Sequence, residues 1–165
     1  MPTEVSETPS PEILVFPTRG PGLLIVDADR AARLELAQDF TASGFTVWTA
    51  PSGEAAVDAY LRHTGEIHVL LMGLTLPDLP AVEFISWLRR HYPGVPCCCL
   101  AGPDDRIAAA RIKSAGGLIL TRPISFHRLA AVVRRLASDA AQPEPPDNVS
   151  VFTEWQVAPG PGRAS

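Results

Sequence analysis

The stretch "HVLLMGLTLPDLP", residues 68–80, contains an apolar run that stops at Gly73 and continues into a loop with two prolines. Val69–Met72 shows no polar alternation, which is typical of a parallel strand that is buried on both faces. In an open α/β sheet, ligands and reactive groups gather at the carboxyl ends of the strands. Here that position holds Gly73, which has no side chain. The stretch therefore predicts a fold with a crevice, but not what the crevice does.

Four further apolar runs flank this stretch and alternate with segments of helical periodicity. They are LLIVD (23–27), FTVWTA (45–50), VPCCCLA (95–101) and LILT (118–121). Five strand–helix units with short connections favour an α/β fold with a doubly wound, five-stranded parallel sheet and helices on both faces. The expected strand order is the flavodoxin-like 2-1-3-4-5, with a crevice between the first and third strands.

Local signals place the ends of the intervening helices. Ser52 and Ser125 are candidate N-caps, and Pro80 suits the first turn of the third helix. Gly44 and Gly116–Gly117 are expected to end the first and fourth helices.

Composition divides the chain into three parts. Residues 1–22 and 139–165 each contain five prolines and little periodicity. We therefore expect a flexible, acidic, proline-rich segment at 1–22, a folded domain at 23–138 and a flexible acidic tail at 139–165. Two short apolar islands, ILVF (13–16) and VSVF (149–152), interrupt the flanks and offer anchors for docking to the domain or to a partner.

The charge distribution argues against nucleic acid as the main partner. The net charge is −4, and residues 23–138 carry 12 basic and 11 acidic side chains. The flanks carry two basic and seven acidic ones, so no strongly basic surface is expected. No apolar run approaches the roughly 18 residues that span a membrane, and the acidic, proline-bearing N-terminus is unlike a signal peptide. We expect a cytoplasmic protein that does not bind membranes.

Three consecutive cysteines, Cys97–Cys99, lie in the fourth predicted strand. Alternate strand residues point to opposite faces, and a metal site needs three or four converging ligands. None of the four histidines has a matching spacing. We interpret the cysteines as buried strand residues and expect neither a metal nor a cofactor, with a redox or metal role as the alternative.

The order of several short motifs resembles the receiver domain of bacterial two-component response regulators. The motifs are "IVDAD", "GFTVWTAPSGEAAV", "LTLPDLPAVEFISWLR", "VPCCCLAG" and "TRPIS". Each motif is weak alone, but the five occur in order over about residues 22–138. The resemblance implies a non-enzymatic signalling module, and it implies a cis peptide bond before the proline of the last motif.

The resemblance also implies where the family's chemistry would lie. Receivers use two acids after the first strand to bind a metal and an aspartate after the third strand to accept a phosphoryl group. A serine or threonine and a lysine, after the fourth and fifth strands, bind the phosphoryl oxygens. The corresponding positions are Asp27, Ala28, Gly73, Ala101 and Arg122, with Pro123 following; Ile119 corresponds to the aromatic switch position. Only the first acid is kept, so the resemblance implies a pseudo-receiver with a vestigial pocket and no phosphoacceptor.

Such a chain is expected to act through its surface. The fourth helix carries Arg106, Arg111 and Lys113, and the fifth carries Arg128, Arg134 and Arg135. In receivers the face made by helix four, strand five and helix five is the usual docking surface. We expect it to bind a signalling protein, whether a kinase, a regulator or a second copy in a homodimer, without phosphorylation; a merely solvated face is the alternative. Trp87 on the third helix is either an exposed anchor or a core residue.

Other interpretations stay open. Asp29 or Asp78 would stand in for the missing carboxylates in a self-phosphorylating receiver, although both also suit capping. A flavodoxin-like binder of a small phosphorylated ligand is a further alternative, but no glycine-rich loop follows Asp27. Arg122 either forms an ion pair with Asp27 across the crevice or points into solvent.

Overall fold

The computed structural model describes Val15–Phe16 and residues 20–139. The tail at 140–165, including its VSVF island, lies outside the described residues, as does most of the segment before residue 20. The strands are β1 (Val15–Phe16), β2 (Gly22–Val26), β3 (Thr46–Ala50), β4 (Val69–Met72), β5 (Cys97–Ala101) and β6 (Leu118–Thr121). The helices are α1 (Arg30–Ala42), α2 (Gly53–Arg62), α3 (Ala81–His91), α4 (Arg106–Ser114) and α5 (Phe126–Asp139).

The strands form one sheet in the order β1-β3-β2-β4-β5-β6. All neighbours from β3 to β6 are parallel. Counted from β2, these five strands have the order 2-1-3-4-5, which confirms the predicted fold. The central strand β4 is buried along its whole length, as its unbroken apolar sequence predicted.

The short strand β1 was not predicted. It pairs antiparallel with the edge strand β3, with Val15 opposite Trp48 and Phe16 opposite Val47. It lies inside the segment that we expected to be flexible, so part of this segment is held by main-chain hydrogen bonds to the sheet. The division of the chain into a domain and two flexible flanks otherwise stays a prediction.

Close backbone contacts guide the chain from β1 into β2. The Thr46 amide donates to the Pro21 carbonyl at 2.9 Å. A Cβ atom at Gly20 would lie 1.5 Å from the Gly44 carbonyl oxygen, and one at Gly22 would lie 1.7 Å from the Glu66 carbonyl oxygen. Only glycine fits such contacts. This glycine clasp, Gly20 and Gly22, fixes the path of the chain beside the amino ends of β3 and β4.

Helices cover both faces of the sheet and create two apolar layers. Helices α1 and α5 pack on one face, where Phe40 and Val133 are fully buried. Helices α2, α3 and α4 pack on the other, with Tyr60, Phe84 and Ile112 in the core. No helix of the described part of the chain is long and apolar enough to cross a membrane.

The predicted caps are largely confirmed. Ser52 Oγ accepts from the Ala55 amide at 3.1 Å, and Ser125 Oγ accepts from the Arg128 amide at 3.1 Å. Pro80 is the N-cap of α3 rather than a residue of its first turn, and α4 begins at Arg106. These ends set the loops that surround the carboxyl edge of the sheet.

Candidate functional site

The carboxyl ends of β2, β4 and β5 meet in the predicted crevice. Asp27 follows β2, Gly73 follows β4 and Ala101 ends β5. The Gly73 amide donates to the Val26 carbonyl at 3.0 Å, which continues the sheet up to the crevice. A Cβ atom at Gly73 would lie 3.6 Å from Asp27 Oδ2, in ordinary contact. The Asp27 carboxylate therefore faces the place where a side chain at position 73 would begin.

The crevice offers few oxygen ligands. Asp27 Oδ1 accepts from the Asp29 amide at 2.9 Å. Ala28 is exposed and Ala101 is buried, and neither contributes a polar side chain. Among the described residues, no three His, Cys, Asp or Glu side chains are grouped so that they could hold a metal ion. Magnesium prefers several hard oxygen ligands in octahedral geometry, and Asp27 supplies the only side-chain carboxylate among the vestigial-pocket positions.

A buried cation, Arg33, lies close to Asp27 and was missed by the sequence analysis. Its Nη1 donates to the Asp27 carbonyl at 2.7 Å, and the residue is 5% exposed. Arg33 lies one helical turn before Ala37 and two turns before Phe40, and both of these are buried. This spacing could have placed it on the inner face of α1. Its contact fixes the main chain of the loop that carries the Asp27 carboxylate.

The backbone of Arg122 lies at the crevice, but its side chain does not form the predicted ion pair. The Arg122–Pro123 bond is cis, as predicted, and the Arg122 amide donates to the Ala101 carbonyl at 2.8 Å. The side chain is exposed and lines a groove beside Glu35 and Asp39 of α1. No ion pair joins Arg122 to Asp27 in the described part of the chain. The expectation of this pair was wrong, and the exposure of the Arg122 side chain agrees with the alternative interpretation.

The two other candidate carboxylates act as helix caps. Asp29 Oδ1 accepts from the Ala31 and Ala32 amides at 3.0 and 3.2 Å. Asp78 reaches from the β4–α3 loop to the start of α2, where its two oxygens accept from the Gly53 and Glu54 amides at 2.9 and 2.8 Å. Each carboxylate satisfies helix amides that would otherwise lack partners.

The six basic side chains are all exposed, but they do not share one face. Arg134 Nη2 donates to the Ser43 carbonyl at 2.7 Å, and its guanidinium lies 4.7 Å from the centre of the Phe45 ring. It therefore covers the α1–β3 turn. Arg111 lines a groove between α4 and the β4–α3 loop. Arg106 lines the same groove, and Arg135 lines another groove together with Ser43 and Arg134. Lys113 on α4 and Arg128 on α5 are the other two exposed basic residues.

The structure also shows where two further candidate residues, Trp87 and Ile119, lie. Trp87 is 7% exposed and packs against Phe84 and Tyr92, so it belongs to the core. Ile119, at the position of the aromatic switch, is half-buried on β6. Neither residue is an exposed anchor.

The cysteines are fully enclosed thiols. Cys97, Cys98 and Cys99 are at most 1% exposed, and the Cys97 thiol donates to Met72 Sδ at 3.4 Å. Burial raises the pKa of Cys98 to about 12. The contact with Cys99 and burial raise the pKa of Cys97 well above its usual value. Thiols held neutral in this way are poor nucleophiles and poor metal ligands, which favours their interpretation as strand residues.

Comparisons with known proteins agree with the fold and the motif order. The family described as "Response regulator receiver domain" matches residues 23–134. A probable transcriptional regulatory protein, TcrX of Mycobacterium tuberculosis, is 29% identical over 120 residues, which cover 68% of this chain and 50% of TcrX. The cell cycle transcriptional regulator CtrA of Caulobacter vibrioides is 30% identical over 122 residues, with 68% and 50% covered. The chain thus spans about half the length of these two curated relatives.

Solved structures with the same fold include a putative response regulator from Chloroflexus aurantiacus and the chemotaxis response regulator CheY4 of Vibrio cholerae. The first has a TM-score of 0.67 at 24% identity and covers 73% of this chain and 99% of that one. The second has a TM-score of 0.63 at 20% identity and covers 71% and 98%.

Proposed function

This chain belongs to the response regulator receiver domain family, and from that premise we propose that it is a pseudo-receiver. In this proposal it takes part in two-component or phosphorelay signalling as a protein-interaction module that works without phosphorylation and catalyses no reaction. The observation that carries the proposal is Gly73 at the end of β4, facing the Asp27 carboxylate.

Position 73 has no side chain that could accept a phosphoryl group. An acyl phosphate forms on a carboxylate, and glycine has none. Ala28 and Ala101 remove, in addition, a metal ligand and a hydroxyl at the positions that correspond to the family's motif. Asp29 and Asp78 do not readily replace them, because their oxygens hold the first amides of α1 and α2. The sheet and the core are intact, although the crevice lacks the side chains that phosphoryl transfer needs. We therefore infer that the chain functions through its surface.

The surface that we propose for docking is the face formed by α4, β6 and α5. Among the exposed basic residues of its two helices, Lys113 and Arg128 line neither of the two grooves that hold Arg106 and Arg135. Leu118 on the edge strand β6 is 41% exposed and is the apolar side chain that we assign to this face. Basic side chains together with an apolar one suit an acidic signalling protein, since complementary charge speeds association and selects partners.

Phosphodonor treatment tests the proposal directly. We expect acetyl phosphate with magnesium, or beryllofluoride with magnesium, to leave the mass, the fluorescence of Trp48 and Trp87, and the sedimentation of the full chain unchanged. An acid-stable, base-labile mass increase of one phosphoryl group on the wild-type chain would overturn it. Mapping that group to Asp29 or Asp78 would support the alternative of relocated carboxylates.

Restoring the missing groups provides a matched control. Gly73→Asp alone should stay unmodified, because no second metal ligand and no hydroxyl accompany it. The triple variant Ala28→Asp, Gly73→Asp, Ala101→Thr should accept phosphate from acetyl phosphate, because the fold already presents these positions together. Phosphorylation of the triple variant shows that the assay detects a working site, so the inert wild-type chain is then a meaningful result.

A ligand-binding crevice is the second candidate. The loop after Asp27 lacks glycines that would cradle a phosphate, and the Arg122 side chain lines a groove beside α1. Saturable binding of a phosphorylated small molecule to the wild-type chain, measured by calorimetry, would favour this candidate over the pseudo-receiver.

A further inference from the structure

The turn that joins α4 to β6, residues 115–117, is held by one side chain from α3. Arg89 Nε and Nη2 both donate to the Gly116 carbonyl, at 3.1 and 2.8 Å. Arg89 Nη1 donates to the Pro93 and Val95 carbonyls, at 2.9 and 3.0 Å. One half-buried guanidinium therefore ties the end of α3 and the α3–β5 connection to the α4–β6 turn.

Arginine is the residue type that suits this contact. Its guanidinium is planar, always charged and presents its donors in a fixed fork, whereas the lysine ammonium is a point charge on a flexible stem. Hydrogen bonds from a charged donor are also stronger than those between neutral groups. Lysine at position 89 would keep the charge but lose the fork that reaches both loops.

The turn lies close against α3. Gly116 has a φ of +102°, which favours glycine, and a Cβ atom there would lie 2.8 Å from Arg89 Nε. A Cβ atom at Gly117 would lie 2.7 Å from Ile112 Cγ2 and 3.1 Å from Ile85 Cδ1. The absence of both side chains lets the Gly116 carbonyl approach the guanidinium.

Two residues of the proposed docking face lie on either side of this turn. Lys113 is in the last turn of α4 and Leu118 begins β6, and both are exposed. We propose that Arg89 is a positioning residue for the docking face, because it holds the turn in one conformation and so fixes Leu118 relative to Lys113. Binding then does not have to order the face, which lowers its entropic cost. This role rests on the proposed function, since it concerns the same face.

The Arg89 contact is remote from the crevice. Helix α3 ends and β6 begins at the amino edge of the sheet, whereas Asp27 and Gly73 follow strands at the carboxyl edge. Arg89 therefore holds the docking face without any group in the crevice, as an interaction module that works without phosphorylation requires.

Amide hydrogen exchange of the full chain, resolved by peptide, tests the contact. We expect Arg89→Lys to raise the exchange rate of residues 115–118 by about tenfold, because the turn then opens locally. Residues 69–72 of the central strand β4 should exchange as in the wild-type chain. Arg90→Lys changes the neighbouring, exposed arginine of α3 and is the matched control. It should leave both segments unchanged.

Chemical rescue separates this role from packing alone. Arg89→Ala leaves space for the part of the side chain beyond Cβ, which ethylguanidinium resembles. Ethylguanidinium at millimolar concentration should restore slow exchange of residues 115–118 in this variant. Ethylammonium carries the same charge without the fork and should not restore it. Equal rescue by both ions, or by neither, would overturn the proposed role of the guanidinium.

Docking provides the functional measurement. A signalling partner captured from an extract of the source cells should bind the immobilised full-length Arg89→Lys chain about tenfold more weakly than the wild-type chain, since ordering the turn then opposes binding. Arg90→Lys should bind it normally. The inference is overturned if exchange of residues 115–118 does not change in Arg89→Lys, if β4 exchanges faster to the same extent, or if partner affinity stays the same. A wild-type chain that captures no partner overturns the proposed docking function instead, whatever the exchange shows.

Discussion

A side chain at position 73 has room but meets a charge. Its Cβ would lie 3.6 Å from Asp27 Oδ2, so Gly73→Asp brings two carboxylates together with no metal ion between them. Like charges at short range repel, by about 1–2 kcal/mol in a half-exposed site. We expect Gly73→Asp to be less stable at pH 7 than its isosteric control Gly73→Asn by this amount, measured by urea unfolding. The difference should shrink in high salt, which screens the repulsion.

His68 couples stability to pH through one hydrogen bond. The Gly22 amide donates to His68 Nδ1 at 2.9 Å, so the ring must be unprotonated at this nitrogen. Burial lowers the pKa of His68. The unfolded chain therefore binds a proton more readily, and the free energy of unfolding should fall as the pH drops below about 6.5. Above that pH the contribution is fully present.

A non-titrating acceptor tests this coupling. His68→Asn places an amide oxygen near the position of Nδ1, so its free energy of unfolding should change less between pH 7.5 and 5.5 than that of the wild-type chain. The exposed His127→Asn serves as the control and should keep the wild-type slope. Identical slopes for His68→Asn and the wild-type chain would refute the coupling.

Single residues also show where sequence analysis succeeds and where it stops. Asp27 and Gly73 could be placed at one crevice, because parallel strands bring their carboxyl ends together. The cap that Asp78 provides for α2 could not be predicted, since its partners lie 25 and 24 residues away along the chain. The predicted pair between Arg122 and Asp27 was wrong because local sequence does not reveal which side a loop residue faces.

At the scale of elements, the glycine clasp holds the start of the sheet. Gly22→Ala would place its Cβ 1.7 Å from a main-chain oxygen, which can move only with the α2–β4 loop. We expect a loss of about 2–4 kcal/mol, seen as a lower melting temperature. Gly94→Ala is the matched control, because nothing lies within 4 Å of the added methyl group. It should be neutral or slightly stabilising. Equal melting temperatures for the two variants would show that the clasp adjusts freely.

The cysteines of β5 provide a probe of how tightly the sheet is closed. The burial of all three, and the raised pKa values of Cys97 and Cys98, should make the native thiols react with a soluble aromatic disulfide at least roughly 100-fold more slowly than a free thiol. All three should react at once in denaturant. Ser138→Cys, on the exposed side of α5, serves as the reactive control. Rapid labelling of native wild-type chain would reopen a redox role for these residues.

Helices and strands were predicted correctly where a sequence pattern repeats over many residues. The prediction failed where the element is too short to show such a pattern. The five parallel strands and five helices each have apolar spacing or caps that agree with their neighbours. Strand β1 has two residues in a proline-rich segment, which is too short for any periodicity. The pairing of β1 depends on the free hydrogen-bonding edge of β3 and on the glycine clasp. Both arise only from tertiary structure.

For the whole molecule, the proposed docking face and the groove beside α3 can be tested separately. Arg111 lines the groove on the side of α3, whereas Arg128 lies on α5. We expect Arg128→Asp to weaken the binding of a signalling partner, captured from an extract of the source cells on the immobilised chain, more than Arg111→Asp does. Partner binding should also weaken at high salt because exposed charges are screened.

Asp27→Asn is the control for the crevice in the same capture experiment. It alters the one carboxylate among the vestigial-pocket positions and leaves the surface charges of α4 and α5 intact, so the partner should bind as it does to the wild-type chain. If Asp27→Asn abolishes capture while the α5 variant binds normally, the crevice is the functional site. The surface proposal would then be rejected in favour of a bound ligand, because only an occupant of the crevice would depend on the Asp27 charge.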